Sequence, residues 1–114
     1  MKMIITEDRL HRLVLKWLTD KFGGLPSVTS ESNPTRVFYV KDGKVMIDYH
    51  ITNTNVYVDV FNIWSGLTKI FGLDFSDVQT ILKKWLMEEY GLRSNHVSAR
   101  EDNPWWWKKV EEEL

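Results

Sequence analysis

The sequence predicts an α+β domain: a three-stranded antiparallel meander with two long helices on one face, in the order α-β-β-β-α-α, and a short C-terminal helix. Three observations predict it. Apolar residues recur at helical spacing over 10–18 and again over 78–86. Between them, apolar and polar residues alternate at the period of a strand. Asp42-Gly43 punctuates that alternation with a strong two-residue hairpin signal.

Thr6 is placed to cap the first helix, with Glu7 and Asp8 where the helix dipole favours negative charge. Ile5 and Leu10 are placed for a hydrophobic staple. Leu10, Leu13, Val14, Trp17 and Leu18 form the apolar stripe, with Lys16 and Asp20 as a surface pair. Gly23, Gly24 and Pro26 stop the helix, and residues 27–35 read as a mobile loop.

A two-residue turn at Asp42-Gly43 pairs Lys41 with Lys44, Val40 with Val45 and Phe38 with Ile47. A four-residue turn at Thr52 to Asn55 pairs Ile51 with Val56, Tyr49 with Val58 and Ile47 with Val60. Both registers gather Phe38, Val40, Val45, Ile47, Tyr49, Val56, Val58 and Val60 on one face, the one expected beneath both long helices. Ile63, Trp64, Leu67 and Phe71 then fit a short helix ended by Gly72. Ser76 and Gln79 form a capping box before the stripe Val78, Ile81, Leu82, Trp85 and Leu86, which ends at Tyr90-Gly91. This gives a core domain over residues 1–91. Residues 92–103 read as a polar linker. Within 92–114, Asn103-Pro104 opens a tryptophan-rich helix that packs on the domain or on a partner.

Composition narrows the function. The 114 residues suffice for one core, and a net charge of -1 lacks the positive excess of a typical nucleic-acid binder. There is no cysteine, so disulfides, thiolate catalysis and cysteine-ligated zinc are excluded. No apolar run approaches the ~20 residues of a membrane span. Met1 to Ile5 runs directly into acidic residues, unlike a signal peptide. Phosphate loops, nucleophile elbows and zinc-protease motifs are absent, and no cofactor is implied.

The inferred registers leave a second sheet face carrying Val37, Tyr39, Met46, Asp48, His50, Tyr57, Asp59 and Phe61. Asp48 would face Asp59, and His50 would face Tyr57. Two carboxylates and an imidazole could bind a divalent cation or share a proton, as in a metal-dependent enzyme. The plainer alternative is a solvated sheet face whose charges discourage edge-to-edge association. Tyr39, Met46, Tyr57 and Phe61 are residue types enriched at interfaces. Trp105, Trp106 and Trp107 cannot all point one way on a helix, at ~100° per residue. They serve either as a lid over the sheet or as an anchor for another chain. His11 lies beside the apolar stripe and reads as structural. Lys83-Lys84 and Lys108-Lys109 read as solvated helix positions.

The order helix, three strands, helix over residues 7–90 resembles the double-stranded-RNA-binding domain in topology. That family's basic loop-and-helix signature is missing: Lys83-Lys84 is its nearest fragment, and the Asp42-Gly43 turn is too tight for the family's minor-groove loop. The opening Ile5-Thr6-Glu7-Asp8-Arg9-Leu10 resembles the start of small tailed-phage accessory proteins. That resemblance covers one helix and implies an accessory or virion-associated protein. The reading that follows is a non-enzymatic interaction protein, cytoplasmic in a bacterial or host cell or carried on a virion. Its partner would be another polypeptide or a second copy, met through Tyr39, Met46, Tyr57, Phe61, Trp105, Trp106 and Trp107. Its alternatives are an RNA-binding module and a metal-dependent enzyme using Asp48, Asp59 and His50.

Overall fold

A computed structural model describes residues 7–100 and 104–114. The expected caps at Thr6 and Asn103, and the staple residue Ile5, lie outside the described residues. Helix α1 spans Glu7–Phe22. It buries Val14, Leu18 and Phe22, leaves Leu13 exposed, and carries the Lys16–Asp20 pair at 2.7 Å. Both charges of that pair are exposed, so it adds little stability.

The fold is α+β, as the sequence predicts, but its sheet is larger than a three-stranded meander. Five strands, β1 (Ser27–Ser30), β2 (Asn33–Lys41), β3 (Lys44–His50), β4 (Asn55–Asp59) and β5 (His96–Arg100), lie in the order β1-β2-β3-β4-β5. The first four pair antiparallel and β5 pairs parallel with β4, making a mixed sheet. β1 occupies the stretch expected to be a mobile loop, and β5 the stretch expected to be a linker. The sheet therefore extends past residue 91. Parallel pairing requires a long crossover. It is supplied by a π-helical turn over Val60–Trp64, by α2 (Ser65–Ile70) and by α3 (Phe75–Tyr90).

Two features of the meander differ from expectation. Lys41 pairs with Lys44 and Val40 with Val45, but Tyr39 then pairs with Ile47, so Met46 is an extra residue on β3. This β-bulge inverts the in/out alternation beyond it. Phe38, Val40 and Val45 fall on one face, and Ile47 falls on the other. The second turn is also longer than expected. Tyr49 pairs with Val56 and Asp48 with Tyr57, a two-residue displacement that keeps the faces but changes every partner. Local hydrogen bonds account for it. His50 Nδ1 bonds Thr52 Oγ1 at 2.8 Å, Thr54 N–H donates to the His50 carbonyl at 2.9 Å, and Asn55 N–H donates to Asn53 Oδ1 at 2.9 Å. Val60 and Phe61 leave the sheet for the π-helical turn.

Helices α1 and α3 cover the face bearing Ile47, Val56, Val58 and Val97 with a core that includes Val14, Leu18, Leu82 and Trp85. The N-cap of α3 is Asp74, whose carboxylate accepts from Asp77 N–H at 2.8 Å. Ser76 lies inside the helix, and Gln79 donates to the Val97 carbonyl at 2.9 Å, so the expected capping box is not formed. Gly91 ends α3 at φ 67°, the left-handed conformation glycine adopts freely. The fourth helix, α4 (Trp105–Glu113), takes Pro104 as its N-cap and covers the opposite face. There Trp107 and Val110 pack with Phe38, Val40 and Val45.

Candidate functional site

The seven residues expected to form a partner surface are dispersed. Tyr39 and Met46 lie on the face beneath α1 and α3, because the bulge changes the parity of β2 against β3. Tyr57 is half-buried beneath α4 with Trp106, and Trp107 is fully buried. Phe61 and Trp105 are exposed at 72% and 64%.

Asp48 explains how α4 is held. It is fully buried, and a buried carboxylate must be paired and hydrogen-bonded. Arg36 Nη1 donates to both of its oxygens at 2.9 Å. Trp106 Nε1–H and Trp107 Nε1–H donate to Oδ2 at 3.1 and 2.7 Å. The Arg36 guanidinium also lies 5.2 Å from the Trp106 ring centroid. The indole N–H is a donor with no acceptor capacity, so a lone buried carboxylate is a fitting counterpart. Two consecutive tryptophans thus point toward one acceptor, while Trp105 turns outward and touches Trp106 edge-on at 5.9 Å.

The Asp48, Asp59 and His50 constellation is not assembled. Asp48 faces Tyr57, not Asp59. Asp59 caps the π-helical turn, accepting from Asn62 N–H at 2.6 Å and from Asn62 Nδ2 at 2.9 Å. His50 helps close the β3–β4 turn. Among the described residues, no three acidic, histidine or cysteine side chains are grouped to hold a metal ion. No helix among them is long and apolar enough to cross a membrane.

An open cleft lies elsewhere, between the end of α1, the β2–β3 hairpin, the π-helical turn and α2. Its volume is about 540 Å³, within the ordinary range for ligand sites. Trp17, Phe22 and Met46 contribute apolar surface, and Phe61 and Ile70, the latter 62% exposed, line it with them. Lys21, Lys41, Lys44 and Lys69 line it too, against one carboxylate, Asp42. Lys41 Nζ donates to the Lys21 carbonyl at 2.7 Å and sits 5.0 Å from the Phe22 ring centroid. Lys44 Nζ lies 3.9 Å from a Glu111 carboxylate oxygen.

The cleft wall is built by close approach. A Cβ on Gly66 would lie 2.3 Å from Trp17 Cη2, so the indole packs directly on the α2 backbone. Phe22 and Phe71 meet the same indole edge-on at 5.6 and 5.7 Å. Nearby, Tyr90 joins the α1 end to α3: its hydroxyl donates to the Phe22 carbonyl and accepts from Leu25 N–H at 3.1 Å. Burial raises the Tyr90 hydroxyl above the ordinary phenol range, the Leu25 bond opposes this, and Glu89 and Tyr39 add to the rise. Burial, then Tyr49, raises Tyr39, whose ring lies 4.6 Å from that of Tyr90.

The sequence points to Met46 and Phe61 but not to the lysines or Ile70. The signal available was Lys41-Asp42-Gly43-Lys44, since a two-residue turn sets its flanking lysines side by side. Comparison with protein-family models, curated proteins and solved structures finds no match to this chain.

Proposed function

We propose that this is a non-enzymatic interaction domain that binds another polypeptide in the cleft between α1, the β2–β3 hairpin and α2. The observation that carries the reading is the exposure of Phe61 and Ile70 beside a preformed concave surface of Trp17, Phe22 and Met46. Apolar side chains exposed together beside a concave surface mark interaction sites. The face beneath α4 contributes less to this reading, because its tryptophans are already engaged by Asp48. The resemblance of the opening helix to tailed-phage accessory proteins supplies a setting, a small protein that acts by holding a host or virion component. It would work in the cytoplasm or on the virion.

The test is selection of binders from a random-peptide library, followed by counter-assay on variants. Phe61→Asp and Ile70→Asp should abolish binding of the selected peptides, and Trp105→Ala should leave it intact. Peptides indifferent to both cleft variants would contradict the proposal.

A further inference from the structure

We infer that the occupant of this cleft is an acidic polypeptide segment carrying an apolar side chain. The inference rests on the cleft being the binding surface and adds the chemistry of its partner. Four ammonium groups and one carboxylate line a single concavity, in a chain whose 15 basic and 16 acidic residues nearly balance overall. The cluster is therefore local and not a consequence of general basicity. Lys21 and Lys69 have no carboxylate partner among the described residues. Lys41 is satisfied by a carbonyl and a ring, neither of which cancels its charge. Lys44 shares Glu111 at a distance that leaves the ion pair loose.

Like charges gathered around one cleft repel, and the repulsion is relieved when an anion enters. Lysines that line one cleft are screened little from a ligand bound within it, since the Debye length is ~10 Å at 0.1 M salt, so they act on it as a group. Its apolar surface requires more of the ligand than charge. Phe61 and Ile70 stand in solvent beside the buried Met46, a place for one inserted apolar side chain. A polypeptide fits better than RNA. The Trp17 ring is held against Phe22, Phe71 and Gly66, which leaves Phe61 as the one exposed aromatic ring lining the cleft, short of the successive rings on which a single strand stacks its bases. The lysines line a cleft, and the balanced overall charge gives no basic track of the kind that follows a phosphate backbone.

The experiment is fluorescence anisotropy with the full chain and three labelled peptides. One is rich in Glu and Asp with a central Trp, one replaces the acids by Lys, and one replaces the Trp by Gly. The first should bind at least about tenfold more tightly than either other. Its affinity should fall as salt rises. Lys21→Glu combined with Lys69→Glu should weaken it at least about tenfold, and Phe61→Ala should weaken it independently of salt. These three positions are exposed, so the fold survives the changes. Equal binding of acidic and basic peptides, both lost in Phe61→Asp, would overturn the acidic inference while leaving the cleft as the binding surface. No peptide binding, or binding insensitive to Phe61, would overturn both. Displacement of the acidic peptide by inorganic phosphate at equal concentration would identify a small-anion site and overturn the inference. Tighter binding of a single-stranded RNA oligonucleotide would do the same.

Discussion

The face beneath α4 and the cleft beside α2 hold aromatic residues under opposite conditions. The first gathers Tyr57, Trp106 and Trp107, yet it is closed, because the buried Asp48 accepts both indole N–H groups. The second also has three aromatic rings, Trp17, Phe22 and Phe61, yet it is open, with Phe61 in solvent and lysines around it. The number of aromatic residues in a segment therefore does not locate a binding surface. What decides is whether the polar atoms beside them are satisfied within the chain.

The strongest way to break this comparison is to release α4. Trp107→Ala should cost about 3–5 kcal/mol, the usual range for deleting a buried large aromatic, read as a shift in denaturation midpoint. Asp48→Ala should cost a similar amount, about 3–5 kcal/mol, because Arg36 and two indoles lose their common acceptor. A finer variant, Trp107→Phe, keeps most of the apolar contact and removes the N–H. It should cost about 1.5–3 kcal/mol for a hydrogen bond to a charged group, beyond any loss of ring area. Near-wild-type midpoints for all three would show that the carboxylate does not hold α4.

The cleft wall should respond next. Gly66→Ala places a methyl group against Trp17 and should destabilise by about 1–3 kcal/mol, as overpacking does. Alkali tests the same corner. Folded-state values for Tyr39 and Tyr90 are raised, so the neutral phenols are favoured in the fold. Their contribution is complete below the unfolded value of about 10 and is lost as pH rises through the raised folded values. Thermal melts should therefore fall steeply in that window, and Tyr90→Phe should flatten the decline. The smallest effects are expected at the exposed positions. Phe61→Asp and Trp105→Ala should each change stability by less than about 0.5 kcal/mol.

Much of the fold was legible because its signals are local. The stripes of α1 and α3, the Asp42-Gly43 hairpin and the Gly91 stop each depend on residues close in sequence. β1 and β5 were not legible. Ser-Val-Thr-Ser and His-Val-Ser-Ala-Arg are short and polar, and become strands only by pairing with β2 and β4. The bulge left a trace in the apolar triplet Val45-Met46-Ile47, which breaks strict alternation. Missing it placed Tyr39 and Met46 with Tyr57 on one face. The Asp48–Asp59 pair failed for a different reason: side chains in the 50–55 turn moved the register by two residues. The cleft was invisible because it joins the α1 end, the hairpin and α2, which only tertiary packing brings together.

The central claim is that binding occurs in the lysine-lined cleft and not beneath the tryptophans. Its most direct test is a titration of isotope-labelled protein with the acidic, tryptophan-bearing peptide, followed by amide and indole N–H resonances. The account predicts progressive shifts at Lys21, Phe61, Lys69 and Ile70, with the Trp106 and Trp107 indole signals unmoved. Shifts confined to those two indoles and Tyr57, with the cleft resonances silent, would contradict it.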